Sequence, residues 1–436
     1  MRTLFYAILA ALGTSAAAQD TTAVNRDQTE GVFIDNYLSG KGITFRSADE
    51  DHRLNLGAYV QSTYEFETTE SFSDYSKRFR IRRARLTFNG SHEPSNISYR
   101  LRLDFAGQSD ELNNGVLQDA WVSWSPNATT RFYFGQRRLI SDNRELTIAS
   151  DQLAFIERSR VTLVFGAIRD FGIYYDGRFA LGENFRVKPA LSIVTGDGQN
   201  TMFRNRGGFK YEGRIDLFLN GYFIKGGQFY ELDLARERVP KIMLGVYYST
   251  NQGISDRRGR ESGTILYLDE QMAELLPDYN KIGVDLMLKY KGFSVLGEWV
   301  NATNNVPAEI FYRVRTDGSI SSVFDNGVEN YISGRQMLGS GFNVQMSYLT
   351  RSNYAVALRY TNLNPAEFSF LDNPLFFARN TYYEMAFSRL LSRGDAIKIQ
   401  LQFILTDLEE GAENFEGEVI QDQYELTGRF LVQFSL

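Results

Sequence analysis

The sequence has no cysteine and only two histidines among 436 residues. The absence of cysteine excludes disulfides, metal–thiolate sites and a thiol nucleophile. His52 precedes the first predicted strand and His92 falls in a predicted short turn, so neither is placed to act as a general base beside a serine. Without paired histidines or cysteines, a metal site is not expected either. We therefore expect neither an enzyme nor a cofactor.

A long hydrophobic run is also missing beyond the start of the chain. The first residues carry Arg2, an apolar stretch from Leu4 to Leu12 and small residues from Ala16 to Ala18, which is the pattern of a secretory signal peptide over residues 1–18. No later stretch approaches the roughly twenty apolar residues that a membrane helix needs. An exported chain of this kind can therefore enter a membrane only as a closed β-barrel.

Basic residues are slightly fewer than acidic ones, and the formal net charge is −6. This balance gives no whole-chain reason to expect nucleic acid as a partner. Residues 19–52 are polar and acidic, with one strand-like piece from Gly42 to Arg46. We interpret them as a periplasmic N-terminal segment that precedes the barrel.

Alternation of apolar and polar residues begins at Arg53 and continues through the rest of the chain. Leu54, Leu56 and Ala58 share one face of the first run, with Asn55 and Tyr59 on the other. Such a period of two is typical of β-strands. There are about sixteen such runs of about ten residues each, and transmembrane strands need about 9–11 residues, whereas soluble strands average about five or six. The pattern predicts an all-β fold, a transmembrane antiparallel β-barrel of about 16 strands over residues 53–436.

The connections between these runs alternate in length. Short polar links, such as residues 91–96 and 350–352, are followed by longer ones, such as residues 195–210 and 251–280. Short periplasmic turns and long external loops are what bacterial outer-membrane barrels show. The connection at residues 221–240 breaks this rule, because it is too long for a periplasmic turn; it is either a misread strand boundary or a small periplasmic excursion.

Arginines gather on one face of the hairpin that runs from Phe79 to Phe105. Arg100 and Arg102 alternate with apolar residues, and the preceding run repeats the pattern after a phase slip near Arg82 that indicates a β-bulge. The polar turn from His92 to Asn96 joins the two runs. Several arginines facing one side of a hairpin need water or an anion beside them.

Residues 138–168 form a long connection that is not hydrophilic, since it contains several Leu, Ile, Phe and Val residues. We expect this loop to fold inward, pack on the barrel wall and constrict the lumen, with its charges reaching the lumen. Between Lys77 and Asp170 there are fifteen basic and ten acidic residues. Because basic rings in pores favour anions, this excess predicts an anion preference. For any single arginine, such as Arg83, pairing with Glu157 across the barrel is the alternative.

A set of short motifs follows one another in order along residues 82–172. The motifs are Arg82-Arg83-Ala84-Arg85-Leu86, Tyr99-Arg100-Leu101-Arg102-Leu103-Asp104-Phe105-Ala106, Asp119-Ala120-Trp121-Val122, Phe134-Gly135-Gln136, Arg144-Glu145-Leu146, Phe155-Ile156-Glu157-Arg158-Ser159 and Arg169-Asp170-Phe171-Gly172. In order and spacing this set resembles the phosphate-selective porin O and P family over about residues 54–178. The resemblance implies a sixteen-stranded outer-membrane barrel, often trimeric, with an inward loop after the fifth strand and basic residues along the path. It also implies that Arg83, Arg85, Arg100 and Arg102 line the wall, and that Glu145, Phe155, Glu157 and Arg158 belong to the constriction loop.

These observations predict a porin of the bacterial outer membrane that passes small hydrophilic solutes by diffusion and prefers anions, with phosphate among the candidates. The partners that follow are outer-membrane lipid, small anionic or hydrophilic solutes and, from the resemblance, two further copies in a homotrimer. The alternative is a plugged or structural barrel that serves as a subunit of a larger export or uptake complex. The predicted anion path is Arg83, Arg85, Arg100, Arg102, Arg131 and Arg137, and the predicted constriction loop includes Arg144, Glu145, Phe155, Glu157, Arg158 and Arg160.

Overall fold

Sixteen antiparallel strands form one closed barrel in the computed structural model of the chain. The structure describes residues 32–38, 40–72, 75–106, 116–200, 207–254, 265–315, 317–374, 378–392, 395–414 and 416–436, so the predicted signal peptide 1–18 lies outside the described residues. The strands are β1 (His52–Thr69), β2 (Tyr75–His92), β3 (Ile97–Asp104), β4 (Leu117–Asn127), β5 (Thr130–Arg138), β6 (Arg169–Gly177), β7 (Arg186–Val194), β8 (Lys210–Phe218), β9 (Lys241–Asn251), β10 (Asp278–Tyr290), β11 (Phe293–Asn305), β12 (Gly339–Leu349), β13 (Tyr354–Pro365), β14 (Thr381–Leu390), β15 (Ile397–Asp407) and β16 (Tyr424–Ser435).

The barrel closes where the last strand pairs with the first. β16 runs antiparallel to β1, with register partners from Glu425 and Thr69 to Ser435 and Tyr59. Each strand also pairs with the strand that follows it in the chain, so no edge of the barrel is left open. Since hydrocarbon offers no partner to a free N–H or C=O group, closure is what allows these strands to cross a bilayer. The predicted sixteen-stranded fold is confirmed.

The alternation of the sequence sorts side chains between the two faces of the wall. On β15, Leu401 and Phe403 are exposed on the outside, whereas Gln400 and Gln402 between them are buried inside. On β1, Val60 faces out and its neighbours Tyr59 and Gln61 are buried inside. Exposed apolar side chains on every strand produce the apolar belt that lipid requires.

The arginine hairpin has the predicted bulge and turn. Gln61 on β1 lies opposite Arg83, and the next pair is Ser62 with Ile81, so Arg82 is the extra residue of a β-bulge in β2. The turn between β2 and β3 covers residues 93–96 and ends at Asn96, which has φ = 53°. Asparagine tolerates this left-handed conformation better than most residues.

The two ends of the barrel differ in their connections. At one end the strands are joined mostly by short turns, which we name the periplasmic end, and at the other by long loops, which we name the external end. At the periplasmic end a hairpin of Val32–Leu38 and Gly42–Ser47 extends the sheet, with Phe45 opposite Leu54 of β1. The strand predicted at Gly42 to Arg46 is therefore present. The region from 219 to 240 is a real connection, not a misread boundary, because β8 ends at Phe218 and β9 begins at Lys241.

Short helices lie in the connections. Between β5 and β6 are α1 (Arg144–Thr147) and α2 (Arg160–Phe165), and an external loop carries α3 (Val328–Ser333). Single 3-10 turns occur at Ser150–Gln152 and Phe370–Asp372, and Ile224–Phe229 is a 3-10 segment interrupted by a kink at Lys225 and Gly226. None of the helices in the described ranges has the length and apolar character that crossing a bilayer requires. Two external loops share a small sheet of Leu266–Leu268, Tyr312–Val314 and Ile320–Ser321.

Candidate pore and its two inward segments

Residues 139–168, here called the inner segment, lie against inward-facing side chains from widely separated strands. The backbone N–H of Ile156 donates to Gln402 Oε1 on β15 at 2.9 Å, and Gln61 Nε2 on β1 donates to the carbonyl of Ser150 at 3.2 Å. The backbone N–H of Glu145 donates to Glu298 on β11 at 2.9 Å. Because β11 lies across the barrel from β1, the inner segment spans the interior.

The apolar residues of the inner segment are buried in four clusters with the wall. Leu139, Ile140 and Ala167 pack with residues of β5, β6 and β7. Val161, Val164 and Phe165 of α2 pack with residues of β10, β11 and β13. Phe155 packs with alanines and leucines of β12–β14. Ile148, which is fully buried, packs with residues of β8 to β11. These contacts explain why a connection between two strands carries so many apolar residues.

The carboxylate of Glu145 connects two parts of the inner segment to each other and to the barrel wall. Its carboxylate accepts hydrogen bonds from the backbone N–H of Ser159 at 2.9 Å and from the Ser159 hydroxyl at 2.9 Å. Arg359 of β13 donates to the same carboxylate at 3.2 Å. The Ser159 oxygen in turn accepts from the backbone N–H of Thr162 and caps the start of α2. A buried carboxylate is tolerated here because every side of it meets a donor.

The wall from β8 to β15 neutralises the buried charges it faces. Arg144 bonds to Asp216, and to Asp285 at 3.0 Å, while Arg214 shares both aspartates. Lys281 pairs with Asp142, and Arg359 reaches Glu384 at 2.6 Å. All of these side chains are at most 10% exposed. Charges on this side are therefore bound to protein and not offered to solutes.

A second connection, residues 219–240, also packs inside the barrel and is here called the lower segment. The backbone N–H of Ala154 donates to Glu231 Oε2 at 2.6 Å, and the N–H of Glu231 donates to the carbonyl of Gln152 at 3.2 Å. Lys289 of β10 donates to three carbonyls of the lower segment at 2.6–2.9 Å. Leu232 joins the cluster around Phe155. The inner and lower segments therefore form one packed body.

The wall from β2 to β6 is different, because some of its arginines are partly exposed and make no ion pair with any described residue. Arg100 donates to Asn89 at 2.6 Å, and Arg131 donates to Ser125 at 2.8 Å. Among the described residues, Arg100, Arg131 and Arg138 make no ion pair. Arg102 bonds to Thr87 at 3.1 Å and lies 3.6 Å from Asp119.

The carboxylate of Asp119 lies between two arginines of this wall. Arg169 donates to it at 2.6 Å while Arg102 approaches it from the other side, so one carboxylate serves two guanidinium groups. Towards the periplasmic end, a cavity of about 320 Å³ lies beside this wall and is lined by Asn55, Asn89 and Arg100 among others. The positive charge of the lumen is therefore concentrated along β2 to β6.

The remaining predicted site residues fall into three groups. Arg83 faces inward but is buried, bonded to Glu157 at 2.8 Å and Gln61 at 2.9 Å, so it fastens the inner segment to the wall. Arg85 and Arg137 are partly exposed and paired, with Asp104 at 2.7 Å and Asp176 at 3.5 Å respectively. Arg158 and Arg160 are half-buried, whereas Arg144, Glu145, Phe155 and Glu157 are buried.

The sequence analysis did not predict that the lower segment packs inside the barrel, and it did not identify the carboxylates of the β8–β15 wall. A signal for the lower segment was available, because residues 219–240 contain apolar residues such as Phe223, Phe229 and Leu232 that would be unusual in an exposed turn. No signal pointed to Asp216 or Asp285, which look like ordinary inward residues of their strands. In the parts of the chain that the structure describes, no three His, Asp or Glu side chains are grouped so as to hold a metal ion.

Comparisons with known proteins agree with this architecture. The family model described as phosphate-selective porin O and P matches residues 54–192. The fold is similar to an anion-selective porin from Comamonas acidovorans, at 10% identity over 88% of this chain and 100% of that chain, with a TM-score of 0.52. It is also similar to OprB of Pseudomonas putida, at 10% identity over 89% of this chain and 95% of that chain, with a TM-score of 0.51.

No curated protein matches the sequence. At 10% identity the two solved structures show the fold alone, and the family model carries the likeness in sequence. The predicted resemblance to this family is confirmed over residues 54–192, and the chain is a β-barrel of the bacterial outer membrane.

Proposed function

We propose that this porin passes small hydrophilic solutes by diffusion, prefers anions, and conducts them along the inner face of β2 to β6. The observation that carries the proposal is the set of partly exposed arginines on that face, of which Arg100, Arg131 and Arg138 have no ion-pair partner among the described residues. On the facing wall, by contrast, Arg214 and Arg359 are enclosed with carboxylates.

Unpaired guanidinium groups attract anions for two reasons. Their field is focused inside a low-dielectric wall, which raises the local concentration of anions. Their planar fork also matches the oxygens of phosphate and carboxylate in two-point contact. The names of the matched family and of the Comamonas acidovorans porin support the same sign of selectivity. We therefore propose oxyanions, phosphate among them, as the preferred solutes.

The inner and lower segments would act as the constriction in this account. Together they fill the lumen beside β8 to β15 and also reach β1 and β2 through Ser150 and Glu157, so solutes would pass between this packed body and the arginines of β3 to β5. Arg158 is held by the carbonyl of Ile148 at 2.8 Å and by Ser150 at 3.1 Å, and remains half-buried at the surface of the body. It would face the path together with Arg102 and Arg138.

Planar-bilayer recording tests this function. In a potassium chloride gradient, the reversal potential of the purified protein is expected to have the sign of chloride permeation. Phosphate added to the chloride solution is expected to reduce the chloride current at low concentration, because it competes for the same guanidinium groups. Cation-dominated current would contradict the anion preference, and lack of phosphate competition would leave a general anion pore.

The second candidate, a plugged barrel, is favoured by one observation. The inner segment contacts strands on opposite sides of the barrel, including β1, β11 and β15. A plugged barrel would carry no ion current in the same recording, whereas the proposed porin conducts continuously. The family and fold already point to a channel and not to an enzyme.

The proposal extends to export and assembly. Residues 1–18 would be removed on export, residues 19–52 would lie on the periplasmic side, and the barrel would associate as a homotrimer. Mass spectrometry of the membrane-extracted protein is expected to give Gln19 as the first residue. Light scattering in detergent is expected to give three copies, and a monomer would contradict the trimer without affecting the channel.

A further inference from the structure

The external loops after β9 and β11 build a small folded unit, here called the external cap. It consists of the three-stranded sheet Leu266–Leu268, Tyr312–Val314 and Ile320–Ser321 together with α3. The cap has its own apolar core around Tyr267 and Ile332, both of which are buried. A rigid core of this kind can hold side chains in fixed positions.

Two arginines of the external cap converge on one phenol. Arg335 Nη2 donates to the Tyr331 hydroxyl at 3.1 Å, and Arg313 Nη1 donates to the same oxygen. The guanidinium carbon of Arg313 lies 4.2 Å from the centre of the Tyr331 ring, and that of Arg335 lies 5.0 Å from it. Two positive groups are thus held against a single neutral ring.

Carboxylates do not compensate this pair. Neither Arg313 nor Arg335 makes an ion pair with any described residue, although acidic residues such as Glu274 and Glu329 belong to the same loops. Two guanidinium groups held against the same ring repel each other. Within the described residues no carboxylate offsets this repulsion.

Two buried polar groups beside the arginines also lack a partner. The Tyr267 hydroxyl and Arg313 Nε have no hydrogen-bond acceptor or donor within the part of the chain that the structure describes. Tyr267 is fully buried, and burial raises its pKa above the ordinary value, with Tyr331 adding to the rise and Arg335 and Arg313 opposing it. Its phenol is therefore a neutral donor and does not offset this repulsion. Buried donors without partners are uncommon in proteins.

We propose that the external cap binds a small oxyanion between Arg313 and Arg335, with the Tyr267 and Tyr331 hydroxyls as neutral partners. The ligand class is a phosphate, a sulfate or a carboxylate-bearing solute, because these supply several acceptor oxygens to guanidinium groups. The site is separate from the arginines of β2 to β6. It would hold an anion at the external mouth before permeation.

Selenate is a suitable probe, because it mimics sulfate and gives anomalous scattering. Crystals of the full-length protein soaked in selenate are expected to show an anomalous peak between the Arg313 and Arg335 guanidinium groups. The peak is expected to be absent in the double variant Arg313→Gln, Arg335→Gln. A peak only along the barrel wall, or no difference between the two proteins, would overturn the proposal.

Titration calorimetry with inorganic phosphate gives a second readout on detergent-solubilised protein. Arg313→Gln or Arg335→Gln alone is expected to weaken the external-cap binding step by about tenfold, because one charge-assisted contact is lost. The matched control is Arg315→Gln, since Arg315 lies two residues from Arg313, is exposed, and donates a side-chain hydrogen bond to Ser321 Oγ at 3.4 Å. An equal loss in the control would contradict a specific site.

Failure of this proposal can be told apart from failure of the channel proposal. The cap variants leave the arginines of β2 to β6 unchanged, so the sign of the reversal potential is expected to remain that of the unaltered protein. A cation-selective channel with an intact selenate peak would refute only the channel proposal. An anion-selective channel without the peak would refute only the cap site.

Discussion

The two sides of the barrel interior use the same residue type in opposite ways. On the β8–β15 side, Arg359 is 1% exposed in its side chain and lies between Glu145 and Glu384. On the β2–β6 side, Arg100 is partly exposed, and within the described residues its side chain donates a hydrogen bond only to the amide oxygen of Asn89. Buried charges must be paired, whereas charges that reach water can remain unpaired and attract solutes. Whether an arginine is structural or functional therefore depends on what covers it.

The largest effect on the free energy of unfolding is expected from breaking an ion pair on the β8–β15 side. Arg359→Met removes the partner of two buried carboxylates and is expected to lower the free energy of unfolding by about 3–5 kcal/mol. Denaturant unfolding of the barrel in detergent measures this difference. The matched change on the β2–β6 wall is Arg131→Met. It removes a part-exposed group that, in the part of the chain the structure describes, bonds only to Ser125, and it is expected to lower the free energy of unfolding by less than about 0.5 kcal/mol. An equal loss of unfolding free energy in the two variants would contradict the difference between the two walls.

A smaller effect on the free energy of unfolding is expected where Lys289 of β10 contacts the lower segment. Lys289→Met leaves the carbonyls of Gly227, Tyr230 and Leu232 without their buried donor, which is expected to cost about 1–3 kcal/mol. Because the lower segment would then be held less firmly, the open-channel current is expected to become noisier and larger. Lys291→Met is the control, since Lys291 follows β10 in an exposed turn. A quiet, unaltered current in Lys289→Met would mean that the lower segment does not border the path.

The smallest change in free energy is expected on the β2–β6 side. Substitutions there are expected to change ion selectivity and not the stability of the barrel. Replacing Arg100 and Arg102 by glutamate is expected to shift the reversal potential towards cations, because two positive charges beside the path become negative. At water-like dielectric each contact is worth about 1 kcal/mol, which corresponds to a several-fold change in the ratio of anion to cation permeability. An unchanged reversal potential would place both residues away from the path.

Much of the barrel was predictable because period-two alternation is a local property. The strand positions, the bulge at Arg82 and the turn ending at Asn96 follow from neighbouring residues alone. The apolar content of residues 138–168 likewise indicated that they need a packed environment. The partners of the charges were not predictable, since Arg144 and Asp285 are separated by 141 residues and meet only because the inner segment crosses the lumen. Arg83 shows which alternative the fold selects: its guanidinium faces inward and pairs with Glu157, as the sequence analysis left open.

Single-cysteine labelling tests the central claim most directly, because the chain has no cysteine of its own. Ser98→Cys places a thiol on β3 beside Arg100, and Ser347→Cys places one on β12, where the serine is buried. An anionic methanethiosulfonate reagent added during bilayer recording is expected to reduce the current through the Ser98 variant, faster than a cationic reagent, and to leave the Ser347 variant unaffected. Equal modification of both positions, or modification of Ser347 alone, would contradict a path along the arginine wall.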